Sequence, residues 1–552
     1  MSRGGRALSR YVPPSAAIGL LLLSAALFLP WNALLEWGVS RFNTVRAYRP
    51  EYARGLEWLR LALAANAALA FAWIRLSRLL WPPSSTPAPR PHDRADLRIM
   101  GGLFALALVL RLIGITGSLQ HDEWYIASNY VQHGPLIIAT RYTGFTNHVL
   151  YTLMAWAGTK VFGMNEIGLR AAAVLFGALA PAAFYGALRC RFSRLPSLVG
   201  GAVLSLSALA LSYSQEARGY SVALFCIAAL LWLHEEVRER PSRRVFLLTV
   251  IVSASIIYDR LVYVIVPTAF LAAAAFQALI RGRENFPFLR RCLRVYLVTG
   301  LVSFLLYAVT FGTLLGVLKT GRPEPGEIQT YQSAAVLLPS DLTVAFAPAW
   351  VVAAAWAVAV GGLVVLAFRG SFWFLSAAAI TVISLNRFGL SMDNSRYQIH
   401  VLPLVILAQA AALAWLLERG RAGRGIAIAL AVALVSAHAV SAARYHSKDK
   451  LDFKAAAAHL AAQPGSGRVG YAHDSKTVAW YLRRPGRAIE VNAGNLDAED
   501  PEWVSIHTVT LAGEGRFAAA IYRRYEEVWR KASMFGHSLT LWHRVEPPFE
   551  GK

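Results

Sequence analysis

The chain has 552 residues and a formal net charge of +23; it is 56% hydrophobic and 16% charged, with a mean hydropathy of +0.43. Ordinary soluble domains carry about 25% charged residues, and apolar runs of roughly 18 to 25 residues recur along most of this sequence, which reads as transmembrane helices rather than one buried core. The arginines cluster in short segments between those runs, as in cytoplasmic loops, and not along one soluble face, which argues against a nucleic-acid binder.

The N-terminus, "MSRGGRALSRYVPPSAAIGLLLLSAALFLPW", has a basic start and an apolar run too long for a signal-peptide core. It is read as an uncleaved first span. Hydropathy and length predict about thirteen spans, beginning near residues 15, 58, 98, 168, 196, 219, 245, 261, 295, 343, 372, 398 and 424. The first two make an N-terminal appendage over 1–82, followed by a cytoplasmic Pro/Ser linker over 83–97 and a membrane module over 98–445. Within 245–280 the pair Asp259-Arg260 interrupts an apolar stretch and predicts a tight turn between two short spans. Cys190, Cys226 and Cys292 all lie in or beside apolar segments, so no disulfide framework is implied.

Arg3, Arg6 and Arg10 put the N-terminus in the cytoplasm, and alternation of the spans then gives six basic or short cytoplasmic loops. One loop, "RFNTVRAYRPEYARGLEWLR", carries five arginines and falls outside as an exception. The same alternation places 118–167, 213–218, 318–342 and 391–397 on the outer side, together with the C-terminus. From 446 to 552 the pattern changes. The runs "LDFKAAAAHLAAQ", "SKTVAWYLRR" and "FAAAIYRRYEEVWRKAS" read as helices, and "GRVGYAH", "RAIEVNA", "EWVSIHTV" and "LTLWHRV" as strands. These predict a small extracytoplasmic α/β domain. The fold class expected is an all-α polytopic membrane protein with that domain appended.

Three outer segments hold charged groups at a membrane boundary: Asp122 and Glu123, then Glu216 and Arg218, then Asp393, Arg396 and Tyr397. Interfacial Arg and Tyr often only anchor helix ends, but charges this close to hydrocarbon are costly, and here the topology brings all three to one face. A partly desolvated carboxylate can take a proton from an attacking hydroxyl. A nearby arginine can hold a phosphate leaving group by bidentate hydrogen bonds. A boundary location suits a substrate with a polar head and a lipid tail.

The segments "HDEWYIA", "TNHVLYTL", "GMNEIGLRAAAVLFGALAPAAFYGAL", "LSYSQEARGYSVALF" and "SRYQIHVLPLV" together resemble the GT-C glycosyltransferases, in the branch of the protein O-mannosyltransferases and lipid A aminoarabinose transferases. The resemblance covers about 98–445. It implies transfer of a sugar from a polyprenyl-phosphate donor to a lipid, glycan or protein acceptor on the outer face, by an inverting single displacement. It implies Asp122 as catalytic base supported by Glu123, and a substrate-binding set of Tyr142, Asn147, His148, Glu216, Arg218, Arg396 and Tyr397. Val149 replaces the usual proline of the "NHP"-like segment, and Asp259-Arg260 stands where relatives often carry His-Tyr. Asp122, Glu123 and His148 are also a possible divalent-cation set, although the resemblance implies no cofactor. The "WWD" motif of oligosaccharyltransferases is absent. The expected location is a bacterial inner membrane; the alternative function is a polytopic transporter or lipid flippase, whose charged site would sit nearer the bilayer midplane.

Overall fold

The computed structural model describes residues 14–80, 92–142, 147–320, 342–369, a few positions between 375 and 380, 399–448 and most of 450–545. The chain opens with α1 (Pro14–Phe28), α2 (Trp31–Arg41), α3 (Asn43–Ala47) and α4 (Arg49–Leu80). Pro30 separates the first two, which meet at 71°, because proline cannot continue a helical ladder. The membrane module begins with α5 (Arg94–Leu112), α6 (His121–Asn129), α7 (Pro135–Thr140), α8 (Val149–Phe162) and α9 (Glu166–Arg189). It continues with α10 (Arg194–Leu206), α11 (Ala208–Ser214), α12 (Tyr220–Glu239), α13 (Arg243–Asp259), α14 (Ile265–Arg281), α15 (Phe286–Tyr307) and α16 (Phe311–Thr320). After a stretch outside the described residues come α17 (Ala349–Phe368), α18 (Leu402–Leu417) and α19 (Gly420–Ser447).

Among the described residues seven helices are long and apolar enough to cross a membrane, and up to nine if the bent pairs α1–α2 and α10–α11 each count as one span. Large apolar side chains such as Leu21, Phe28, Val161, Leu279 and Phe368 lie exposed on the outside of the bundle, as a lipid-facing surface requires. Helices occur near twelve of the thirteen predicted span starts, and the start near 372 lies outside the described residues. The predicted turn at Asp259-Arg260 is present: α13 ends at Asp259, a 3₁₀ turn covers Leu261–Val264, and α14 follows.

Helix α9 sits at the centre, packed against α5, α8, α10 and α12. Its sequence is rich in Ala and Gly, and small residues let helix backbones approach closely where lipid provides no hydrophobic drive. A Cβ on Gly177 would meet Ser214 Oγ at 2.2 Å and Arg111 Nε at 2.8 Å. The appendage packs directly on this module. Asn66 Nδ2 donates to Leu301 O in α15 at 2.9 Å, and Leu35, Val45 and Tyr52 form a buried cluster with Ile137 of α7. The arginine-rich segment expected to be an outer exception thus lies beside the loop that carries Tyr142.

The C-terminal region folds around a five-stranded sheet in the order β2-β1-β3-β5-β4, made of β1 (Val469–Tyr471), β2 (Ala488–Glu490), β3 (Trp503–His507), β4 (Tyr525–Ala532) and β5 (Ser538–Arg544). The first three strands are parallel and the last two antiparallel. Helices α20 (Phe453–Ala462) and α21 (Lys476–Leu482) pack on it. One expectation is corrected. The run "FAAAIYRRYEEVWRKAS" is not one helix: a helix over Gly515–Arg524 stops, and Tyr525–Ala532 becomes β4. The second half carries Tyr525, Val528 and Trp529, which suit a pleated surface. Seven registered pairs with β5, around an irregularity at Glu527/Trp529, override its local helical periodicity.

Candidate active site

Helix α5 leaves the bundle at Leu112, and after eight intervening residues α6 starts at His121. Its first turn carries Asp122 and Glu123, where carboxylates complement the positive end of the helix dipole. The two side chains then diverge. Glu123 is fully buried and receives a two-pronged bond from Arg170 of α9: Nε to Oε1 at 2.7 Å and Nη2 to Oε2 at 2.7 Å. Oε2 also accepts from the Gln120 amide at 2.8 Å, closing the start of α6. Oε1 accepts from the Ala217 amide at 2.6 Å, which pins the turn between α11 and α12. Adjacent carboxylates are tolerated here because Glu123 is neutralised inside the protein while Asp122 faces outward.

Asp122 is 27% exposed and forms an ion pair with Arg218, which is 1% exposed. The Arg218 guanidinium also lies over the Tyr220 ring, 5.2 Å from its centroid. Glu123 thus holds both members of the pair in register. It caps the helix that carries Asp122 and accepts from the residue next to Arg218. Glu216 is half-buried in the same turn, with its carbonyl accepting from Arg218 N at 2.7 Å.

Behind this pair lies a second buried cluster. His148 Nδ1 and Asp259 Oδ2 are 2.9 Å apart, and the Tyr151 amide donates to Asp259 Oδ1 at 3.1 Å. The Tyr220 ring bridges the clusters, with its centroid 5.0 Å from that of His148. Gly219 lies directly against the carboxylate, since a Cβ there would sit 2.1 Å from Asp259 Oδ2. Asn147 is buried and spans the preceding loop, donating to Ile138 O at 3.3 Å and Arg141 O at 3.2 Å and accepting from Thr152 Oγ1. Tyr142 is buried, and its amide donates to Thr313 Oγ1 of α16 at 3.1 Å.

Asp122, Glu123, Glu216 and Arg218 therefore converge, with His148 one ring away behind Tyr220. Asn147 and Tyr142 shape the adjoining loop. Arg396 and Tyr397 lie outside the described residues. Among the described residues no three His, Cys, Asp or Glu side chains gather closely enough to hold a metal ion. The trio Asp122, Glu123 and His148 is divided, with Glu123 turned to Arg170 and His148 to Asp259. Arg170 is not singled out in the sequence, and Asp259 reads there only as part of a turn. Arg170 sits one turn inside an apolar run, where a lone charge calls for a buried partner. That partner is Glu123, and Asp259, which stands where relatives often carry histidine, is the buried partner of His148.

The family model described as dolichyl-phosphate-mannose-protein mannosyltransferase matches residues 148–310, a stretch that includes His148, Arg170, Glu216, Arg218 and Asp259. No curated protein matches the chain. Among solved structures, the Archaeoglobus fulgidus oligosaccharyltransferase in complex with Zn and sulfate aligns with a TM-score of 0.53 at 12% identity, over 81% of this chain and 73% of that one. ArnT from Cupriavidus metallidurans in the apo state aligns with a TM-score of 0.52 at 12% identity, over 81% of this chain and 98% of that one. The protein is thus a polytopic helical membrane protein. Its fold is the GT-C fold, shared with these two transferases.

Proposed function

We propose that this protein is an integral-membrane glycosyltransferase that moves a sugar from a polyprenyl-phosphate donor to a lipid, glycan or protein acceptor. The observation that carries the reading is the Asp122–Arg218 pair, a partly exposed carboxylate beside a buried guanidinium at the end of the helical bundle. The match to a family described by a dolichyl-phosphate-mannose donor supports the donor class. The fold supports the transferase class.

In the proposed reaction the acceptor hydroxyl attacks the anomeric carbon from the face opposite the phosphate. The carbon–oxygen bond to phosphate breaks, the polyprenyl phosphate leaves, and Asp122 takes the hydroxyl proton. The product has inverted configuration. A carboxylate locked to arginine is a poor base, so Arg218 has a second task. The phosphate of the arriving donor competes for the guanidinium, which offers a planar fork matched to phosphate oxygens. Asp122 is then released to act, and the charge growing on the leaving group is met by a preorganised cation. Glu123 stays with Arg170 and keeps the pair in place, Glu216 lies in the Arg218 turn, and the buried His148, Asn147 and Tyr142 support the site from behind.

The reading includes about thirteen spans, a cytoplasmic N-terminus, and the site and C-terminal domain on the periplasmic side of a bacterial inner membrane. Its test is incubation of the purified protein in lipid nanodiscs with a panel of short-chain polyprenyl-phosphate sugars. Release of free polyprenyl phosphate, detected by mass spectrometry, identifies both the reaction and the donor sugar. Absence of release from every donor, together with absence of donor-induced thermal stabilisation, overturns it.

A further inference from the structure

The segment that joins α5 to α6 is held from two sides. From the membrane module, Arg170 Nη1 donates to Ile115 O and Gly117 O at 2.7 Å each, and Nη2 donates to Ser118 O at 2.9 Å. From the C-terminal domain, Asp452 Oδ1 accepts from Ser118 Oγ at 2.7 Å, and the Lys454 amide donates to that hydroxyl at 3.0 Å. Lys454 Nζ reaches Thr116 O at 3.2 Å, and Gln120 Nε2 donates to Leu451 O at 3.2 Å.

Tyr481 of α21 completes the grip. Its hydroxyl accepts from the Leu119 amide at 2.8 Å and donates to Glu166 Oε1 at 2.8 Å, and Glu166 is also paired with Lys454 at 2.8 Å. The Tyr481 ring packs against both the membrane core and the core of the C-terminal domain. Burial, with the Glu166 carboxylate adding to it, pushes the phenol well above its ordinary range, so the hydroxyl retains its proton. Leu119 is 1% exposed, and the next amide, Gln120 N, is the one that Glu123 caps. Asp122 follows two residues later.

We propose that the C-terminal domain is a positioning element for the candidate active site, and that Tyr481 is the positioning residue through which it sets the Asp122 turn. Tyr481 contacts neither Asp122 nor Arg218 through its hydroxyl, which is held by the Leu119 amide and Glu166. It holds the backbone from which α6 starts, and so the Asp122 carboxylate relative to Arg218. The proposal rests on the assignment of Asp122 to the site. It gives the domain a role that runs through one side chain of α21 to the Leu119 amide.

The test is hydrogen–deuterium exchange of the full-length protein in nanodiscs, comparing wild type with Tyr481→Phe, Lys454→Met and a control, Tyr522→Phe, at an exposed site. Phenylalanine keeps the ring packing and removes only the hydroxyl. A buried amide that loses its acceptor opens more readily, so exchange in peptides covering 117–124 rises by roughly five-fold or more in Tyr481→Phe. Peptides from β3 and β5 and the Tyr522→Phe control stay unchanged. Where the wild type turns over a polyprenyl-phosphate sugar, the same variant lowers kcat and leaves the donor KM in place. Unchanged exchange over 117–124 in both Tyr481→Phe and Lys454→Met overturns the proposal, as does raised exchange with unchanged kcat. A wild type with no turnover is a failure of the glycosyltransferase reading instead, and the exchange result then decides the positioning role alone.

Discussion

Arg170 of α9 holds Glu123 of α6 through two parallel bonds of 2.7 Å while both side chains are almost fully buried. Buried ion pairs add little over a well-packed apolar replacement, but removing one partner strands the other charge. Arg170→Met is therefore expected to destabilise the protein by ~3–5 kcal/mol, read as a lowered thermal midpoint in detergent or nanodiscs. The double variant Arg170→Met/Glu123→Leu is expected to recover part of that loss. Equal midpoints for wild type and Arg170→Met would show that the pair does not hold the turn.

Gly219 offers a steric test. Its φ of −76° is accessible to any residue, so alanine there brings no backbone strain. It does place a methyl carbon 2.1 Å from Asp259 Oδ2. The carboxylate must move, and with it the hydrogen-bonded His148. Gly219→Ala is expected to cost about 1–3 kcal/mol by overpacking, with a loss of transfer activity in the protein that remains folded. A variant with wild-type stability and activity would mean that the Asp259–His148 contact is dispensable.

Arg218 is assigned to the donor phosphate. Charge-assisted hydrogen bonds contribute about 1.5–3 kcal/mol, so Arg218→Ala is expected to weaken donor affinity roughly 10- to 100-fold. The measurement is donor-induced thermal stabilisation titrated against a short-chain polyprenyl-phosphate sugar. The carboxylate released by the substitution is Asp122, which already reaches solvent, so the fold should survive. Unaltered donor affinity would remove Arg218 from phosphate binding.

Much of this arrangement was legible in the residues, because lipid imposes simple rules. Apolar runs of spanning length located the helices, and charge asymmetry between loops gathered the segments of Asp122 and Arg218 on one face, where the fold pairs them. Less legible was the division of labour between neighbours. Nothing local to "HDEW" says that Glu123 turns inward and Asp122 outward; that depends on Arg170, 47 positions on in the chain. The His148–Asp259 contact spans 111 positions and has the same character. In the C-terminal region, Tyr525–Ala532 reads as a continuation of a helix until β5 is available as a partner. The grip of Tyr481 on Leu119 crosses 362 positions and has no sequence signal beyond a tyrosine on an amphipathic helix.

The role of Asp122 as base is tested most directly by turnover of Asp122→Asn beside wild type, in nanodiscs, with a donor that the wild type consumes. The substitution is nearly isosteric and removes the basic carboxylate while leaving a group that can still face Arg218. General-base catalysis contributes about 10²–10⁴-fold. Polyprenyl-phosphate release is expected to fall by that order, with donor binding and thermal midpoint close to wild type. Release by Asp122→Asn at the wild-type rate would remove Asp122 from the chemistry.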